Sequence, residues 1–186
     1  MDKKLAIALV HHPVLDRARK TVATNVTNFD IHDIARAART YGVDHYYIVH
    51  PMREQLMFVS RVIDHWRVGK GKKFNPMRRT ALTMIEPIES IEKAISHMDS
   101  SDLQVVATSA KESALLPQWS FKETRENLLK KDTLLIFGTG FGLSDEALKL
   151  CDSCIEPIRG YGEEDYRHLS VRSAVSICLD RLRGAW

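Results

Sequence analysis

Three cysteines in 186 residues is a sparse and odd number. It excludes a disulfide scaffold and fits free thiols in a reducing compartment. Nine glycines and six prolines exclude a collagen-like chain or one dominated by linkers. No apolar run approaches the roughly 18 to 20 residues that a membrane helix needs. The stretch Leu5 to Val10 is too short for a secretory signal, and His11-His12-Pro13 follows it in place of small residues. The expected location is therefore the cytosol. Neither charge sign dominates: 27 basic residues face 24 acidic ones, a net of +3. With 44% hydrophobic and 27% charged residues, the composition is globular and wholesale disorder is excluded. The length suits one domain, residues 1–186, with a core of its own.

The distribution of charge is more informative than its sum. Residues 67–79 hold Arg67, Lys70, Lys72, Lys73, Arg78 and Arg79 and no acid. Without those six the balance inverts to 21 basic against 24 acidic. A Gly-containing basic segment of this kind reads as a loop, either solvated and mobile or in contact with a phosphate backbone. Phe74 within it either stacks on a base or anchors the segment to the core.

Short apolar runs alternate with helical stripes along the chain. Strands are expected at Leu5–Val10, Tyr46–Val49, Ala81–Ile85, Leu103–Ala107, Thr133–Phe137 and Cys154–Ile158. Between them, helical stripes run from Ile31 to Tyr41 with Asp30 as cap, from Met52 to Trp66, and from Ile88 to Met98. Further helices are expected over Phe121–Leu129, after Ser144, and over Ser170–Arg183, while residues 109–120 look irregular. Strands separated by helices must run parallel with both faces covered. The expected fold class is α/β, a single open parallel sheet of about six strands.

Ligands of such sheets bind beyond the carboxyl ends of the strands. Three segments stand there. In Phe137-Gly138-Thr139-Gly140-Phe141-Gly142-Leu143, three alternating glycines expose main-chain amides and allow close approach. The spacing is neither that of a dinucleotide fingerprint nor that of a phosphate-binding lysine loop. A side chain added at Gly140 is expected to crowd a ligand while leaving the fold intact. The second segment, Ile155 to Gly162, leads through a polar loop to His168-Leu169-Ser170-Val171-Arg172-Ser173-Ala174. It ends at a helix N-terminus that favours an anion, although a serine there is ordinarily no more than a cap. The third, Asn25 to Asp30, enters the helix that carries Arg36 and Arg39. No metal site is expected, because Cys151-x-x-Cys154 has no partner pair.

Taken in order, these segments resemble the SPOUT, or α/β-knot, RNA methyltransferases. The likeness rests on Asn28, Arg36 and Tyr41-Gly42-Val43; on Phe137-Gly138 through Gly142-Leu143-Ser144-Asp145-Glu146; and on Ile155 to Gly160 followed by Leu169-Ser170-Val171-Arg172-Ser173-Ala174. It covers nearly the whole chain and is nearest to a small bacterial group of such proteins. The resemblance implies a carboxyl-terminal trefoil knot, an exception to the unknotted rule. It also implies a homodimer with a substrate site across its interface.

The implied cofactor is S-adenosylmethionine, held by main-chain groups. By position its contacts would be Thr108, Ser109, Gly138, Thr139, Gly140, Gly142, Leu143, Ile158, Gly160, Leu169, Ser170, Val171 and Ser173. Arg36 takes the place of the arginine implicated in catalysis, and Asp165 or Glu163 could serve as the base. The basic residues of 67–79 would then hold RNA, a transfer or ribosomal RNA. The 2′-O-methylating branch has Asn where this chain has Ser170, so a ribose oxygen and a base nitrogen both stand as acceptors. Two rival readings are a non-catalytic RNA-binding or assembly protein with the same fold, and a doubly wound enzyme for another nucleotide.

Overall fold

The computed structural model describes residues 3–185 except 163 and 165. In chain order the elements begin with β1 (Leu5–Val10) and a small antiparallel ribbon, β2 (Val14–Leu15) and β3 (Thr21–Val22). A π-helical turn over Asp30–Ile34 runs into α1 (Ala35–Thr40), followed by β4 (His45–Val49) and α2 (Arg53–Arg67). Next come α3 (Gly71–Phe74), α4 (Pro76–Leu82), β5 (Ile85–Ile88), α5 (Ile91–His97), β6 (Leu103–Ala107) and β7 (Gln118–Trp119). The chain continues with α6 (Phe121–Leu128), β8 (Asp132–Gly138), α7 (Asp145–Leu148), β9 (Ser153–Ile155) and α8 (Val171–Arg183).

Seven of the strands form one sheet in the order β5-β4-β1-β8-β6-β9-β7, and every pairing is parallel. Strand β1 lies inside the sheet, and all six of its residues are buried. That explains its unbroken apolar sequence: a strand covered on both faces has no solvent side to alternate toward. Its odd residues Leu5, Ile7 and Leu9 join Tyr46, Ile48, Leu135 and Phe137 beneath α1, α2 and α8. Its even residues Ala6, Ala8 and Val10 join Tyr47, Val49, Leu134 and Ile136 beneath α5 and α7.

The parallel α/β architecture is as expected, with seven strands instead of about six. The additional strand, β7, falls in the segment read as irregular. It has only two residues and pairs with β9 alone, too short for any periodicity to register. The strand expected at Ala81–Ile85 is displaced: α4 continues to Leu82 and β5 begins at Ile85.

The basic segment is not a loop. Asn75 caps α4 by accepting the Arg78 N–H at 3.0 Å, with Pro76 at the first helical position. Gly71 is buried against Trp66 and His65, where a Cβ would come within 2.8 Å of the Trp66 ring. Nor does Asp30 cap a helix. The chain is already helical at Asn28, and Asp30 lies buried inside that turn. No described helix is long and apolar enough to cross a membrane.

Candidate functional site

Strands β8, β6 and β9 are neighbours, and their carboxyl ends open onto one cavity of about 710 Å³. That is the size of a small-molecule site. Thr108 and Ser109 follow β6, Gly138 ends β8 and Gly140 to Leu143 follow it, and Ile155, Glu156 and Ile158 end or follow β9. Arg167, His168 and Leu169 close it with one face of α8, where Val171, Ala174 and Cys178 recur at helical spacing. Thr108 is fixed by its N–H and its hydroxyl, which both donate to the Ile136 carbonyl at 3.0 Å.

The glycine loop is held from the other side by the β2 segment. Leu15 N–H donates to the Gly142 carbonyl, and Phe141 N–H to the Leu15 carbonyl, both at 2.9 Å. Ser144 N–H donates to the Pro13 carbonyl at 3.2 Å, while its hydroxyl caps α7. The glycines have different reasons for being glycine. A Cβ on Gly140 would lie 2.9 Å from the Leu15 carbonyl oxygen, at φ +59°. A valine there would disturb the chain itself, so it does not leave the fold intact as the sequence suggests. Gly142 has φ +105°, and a Cβ there would find nothing within 4 Å. Its left-handed backbone favours glycine, and it is one of the residues that line the cavity.

Nine of the thirteen positions expected to contact a cofactor line this cavity: Thr108, Ser109, Gly138, Gly140, Gly142, Leu143, Ile158, Leu169 and Val171. Four do not. Thr139 turns away, its hydroxyl bonding to Thr24 and donating to the Val10 carbonyl. Ser170 caps α8 by accepting the Ser173 N–H at 3.2 Å, and its hydroxyl meets that of Ser173 at 3.0 Å. Gly160 is exposed with open space around it. Arg36 is exposed on α1 and is not part of the cavity wall. Asp165 and Glu163 lie outside the described residues.

Within the basic segment Arg67, Lys70, Lys72 and Lys73 are exposed. Arg78 instead stacks over the Trp66 ring at 5.0 Å, and Arg79 is half-buried. Phe74 is 89% exposed and Met77 82%, so Phe74 is not an anchor to the core. Exposed cations beside exposed apolar side chains suit a polyanion with unstacked rings.

Two further groups stand beside the loops of the site. Arg172, at the start of α8, donates to the buried Asp30 carboxylate at 3.1 Å and lies 3.6 Å from Asp33. Its guanidinium also covers the Phe29 ring at 5.6 Å. The other group is His11, directly after β1. It is 1% exposed, its Nδ1 meets the Thr24 hydroxyl at 3.0 Å, and its Nε2 has no partner. The same Thr24 hydroxyl reaches Thr139, tying the first loop to the glycine loop. His50 sits beside it; its Nδ1 accepts the Met52 N–H, so its Nε2 carries the proton donated to the Thr24 carbonyl.

Burial lowers the pKa of His11 from its ordinary 6.5 to about 4, against the opposing pull of Asp30. Burial lowers those of His32 and His50 as well. Above pH 6.5 a neutral His11 costs nothing in either state. Below it the unfolded chain takes up a proton that the folded chain refuses, so stability falls until about pH 4. The loss from His11 alone should approach about 3 kcal/mol. His11→Gln, followed by chemical denaturation across that range, should flatten the slope; an unchanged slope would rule out His11 as its source.

Residues 4–184 match the family model described as SAM-dependent RNA methyltransferase. Over 185 residues the chain is 39% identical to a tRNA (guanine-N(1)-)-methyltransferase of Oleidesulfovibrio alaskensis. The match takes in 98% of this chain and 42% of that protein, so more than half of the relative has no counterpart here. Among solved structures, the fold is similar to that of a probable methylase family protein from Haemophilus influenzae. The TM-score is 0.65 at 20% identity, covering 100% of this chain and 67% of that one. It is also similar to the TrmH/SpoU tRNA modifying enzyme of Aquifex aeolicus, with a TM-score of 0.57 at 20% identity over 98% of this chain and 75% of the other.

Proposed function

Because the chain belongs to the SAM-dependent RNA methyltransferase family, we propose that it transfers a methyl group from S-adenosylmethionine to a transfer or ribosomal RNA. We further propose that it acts as a single catalytic domain in the cytosol. The observation that carries this reading is the cavity at the ends of β8, β6 and β9, lined by residues of three separate segments. The residues present fit the cofactor. Gly142, with open space where a side chain would stand, is among the lining residues, and Leu143, Ile158, Leu169 and Val171 supply apolar walls. The acids Glu112, Asp145 and Glu156 and the bases Arg19, Lys111 and Arg167 stand at the same cavity, suiting a ligand that carries both signs of charge beside an apolar ring. When bound there, S-adenosylmethionine supplies an electrophilic methyl on a sulfonium.

The chain's own residues have then to position the nucleophile and remove its proton. Thr108, Ser109, Gly138, Gly140, Gly142 and Leu143 would hold the cofactor with Ile158, Leu169 and Val171. Thr139, Gly160, Ser170 and Ser173 would support those loops from outside, Ser170 by capping α8. Arg67, Lys70, Lys72 and Lys73 would contact RNA phosphates, and Arg78, stacked on Trp66, would stiffen that surface.

Arg36 is exposed on α1, away from the cavity wall. It reaches a reacting nucleophile if two copies pack as a homodimer and each presents Arg36 to the other's cavity. There it would orient a phosphate or activate the nucleophile, with Asp165 as the base. A trefoil knot in the carboxyl-terminal third is part of the same proposal. It is supported by β9 lying between β6 and β7, both of which precede it in the chain.

The test is methyl incorporation from S-adenosylmethionine into total RNA of a strain lacking the protein, read by mass spectrometry of nucleosides. A single modified nucleoside should appear, and its identity decides between ribose oxygen and base nitrogen. Cofactor binding without incorporation into any RNA would select a non-catalytic RNA-binding role. Absence of cofactor binding would defeat the proposal.

A further inference from the structure

The alternation that sorts β4 onto two core faces also gathers three ligand-type side chains at the other end of the sheet from the cavity. His45 opens β4, and Tyr47, two residues on, shares its face. The parallel register sets Glu86 of β5 opposite Tyr47. Helix α5 covers this face with Ile91, Ala94 and Met98, and His97 stands three residues after Ala94, on the same side of the helix. The Glu86 carboxylate lies between the two imidazoles. One oxygen is 2.6 Å from His45 Nδ1 and the other 3.3 Å from His97 Nε2. One nitrogen from each histidine and a carboxylate oxygen all fall within 4.8 Å of one another.

The surroundings hold this arrangement in place. The remaining nitrogen of His97, Nδ1, is hydrogen-bonded to the buried Tyr47 hydroxyl at 2.9 Å. The His45 ring stacks on that of Tyr47 at 5.7 Å, tilted by 9°. A metal-binding histidine commonly has its second nitrogen tied in this way, which fixes the ring and its tautomer. Two imidazoles and a carboxylate form a common ligand set for a zinc-like ion, with water in the fourth position. Zinc–ligand bonds of about 2.0–2.1 Å place tetrahedral donor atoms about 3.4 Å apart. From 4.8 Å the widest separation has to close by about 1.4 Å, while the 2.6 Å contact between His45 and Glu86 has to open for the ion to enter.

We propose that His45, Glu86 and His97 form a binding site for a divalent ion of the zinc type, one that locks β4, the edge strand β5 and the end of α5 together. Pro87 gives the edge strand a position without an N–H, and β5 pairs with β4 alone. An ion at this place would reinforce the outermost parallel pair. Its distance from the cavity makes its role one of architecture, separate from the reaction. The sequence does not disclose it, because the ligands lie 41 and 52 residues from His45.

The full chain, stripped with a chelator, should take up one zinc ion in calorimetry, and its thermal midpoint should rise with zinc. Cobalt chloride should give the absorption of a tetrahedral nitrogen and oxygen site. His97→Ala should weaken zinc by about tenfold or more, read as affinity, because losing the bond to the buried Tyr47 hydroxyl also lowers the metal-free midpoint. Glu86→Gln should do the same with little change of shape. Three results would each overturn the assignment: no uptake at millimolar zinc, affinity unchanged in both variants, or a thiolate-to-cobalt band from the cysteines.

Discussion

Ala174→Phe should deprive the protein of S-adenosylmethionine while leaving it folded. Ala174 lies on the face of α8 that lines the cavity, between Val171 and Cys178. A phenyl group there projects into the space between that helix and the glycine loop. The helix loses under about 0.7 kcal/mol of propensity, so the thermal midpoint should move little. Affinity should fall about a hundredfold, equivalent to ~2.8 kcal/mol of binding free energy. Calorimetry with the cofactor and with its demethylated product reads this directly. Undiminished affinity in a folded variant would place the cofactor elsewhere. Ala174 is a better probe than Gly140, where any side chain meets the Leu15 carbonyl before it meets a ligand.

The second large effect is expected on stability. Asp30 is 4% exposed. Its carboxylate accepts the Thr27 hydroxyl at 2.6 Å and the Thr27 N–H at 3.2 Å, and its other oxygen accepts from Arg172. Arg172→Ala removes the cation and leaves a buried carboxylate with only the Thr27 donors. Breaking a buried pair from one side costs about 3–5 kcal/mol. Because the Arg172 side chain is 35% exposed, a loss of about 2–3 kcal/mol is expected. Asp30→Asn in the same background should recover part of it, since the uncompensated charge is gone. Denaturant titration of the single and double variants measures both. Equal stability of Arg172→Ala and the parent would show that the pair contributes nothing net.

The pair also shows where the sequence stops being informative. Asp30 has the residue type of a helix cap and sits just before an apolar stripe, so local pattern alone points to a cap. Its actual partner is 142 residues away, and no local pattern encodes that. The buried strands are legible for the opposite reason. Leu5–Val10 and Leu134–Phe137 are continuous apolar runs, and Leu103–Ala107 is broken only by Gln104, the pattern of a parallel strand covered on both faces. The caps at Ser144 and Ser170 are legible as serines that immediately precede helical segments. The Asn75-Pro76 start signal is equally local, yet six cations mask the two short helices around it. In the site, the segments at the strand ends are legible as segments. The direction of each side chain is not: Thr139 sits between the wall residues Gly138 and Gly140, yet its hydroxyl bonds to Thr24.

The position of β9 has a consequence for assembly. Strands β6 and β7 flank it, and both leave the ribosome before it does. Their shared edge of the sheet has no hydrogen-bonding partner until residues 153–155 have been made and have entered between them. That closure joins distant parts of the chain, the slow class of contact in folding. Nascent chains halted before Ser153 would expose the β6 edge and invite pairing with other chains, so the final strand also completes the protein's protection against aggregation.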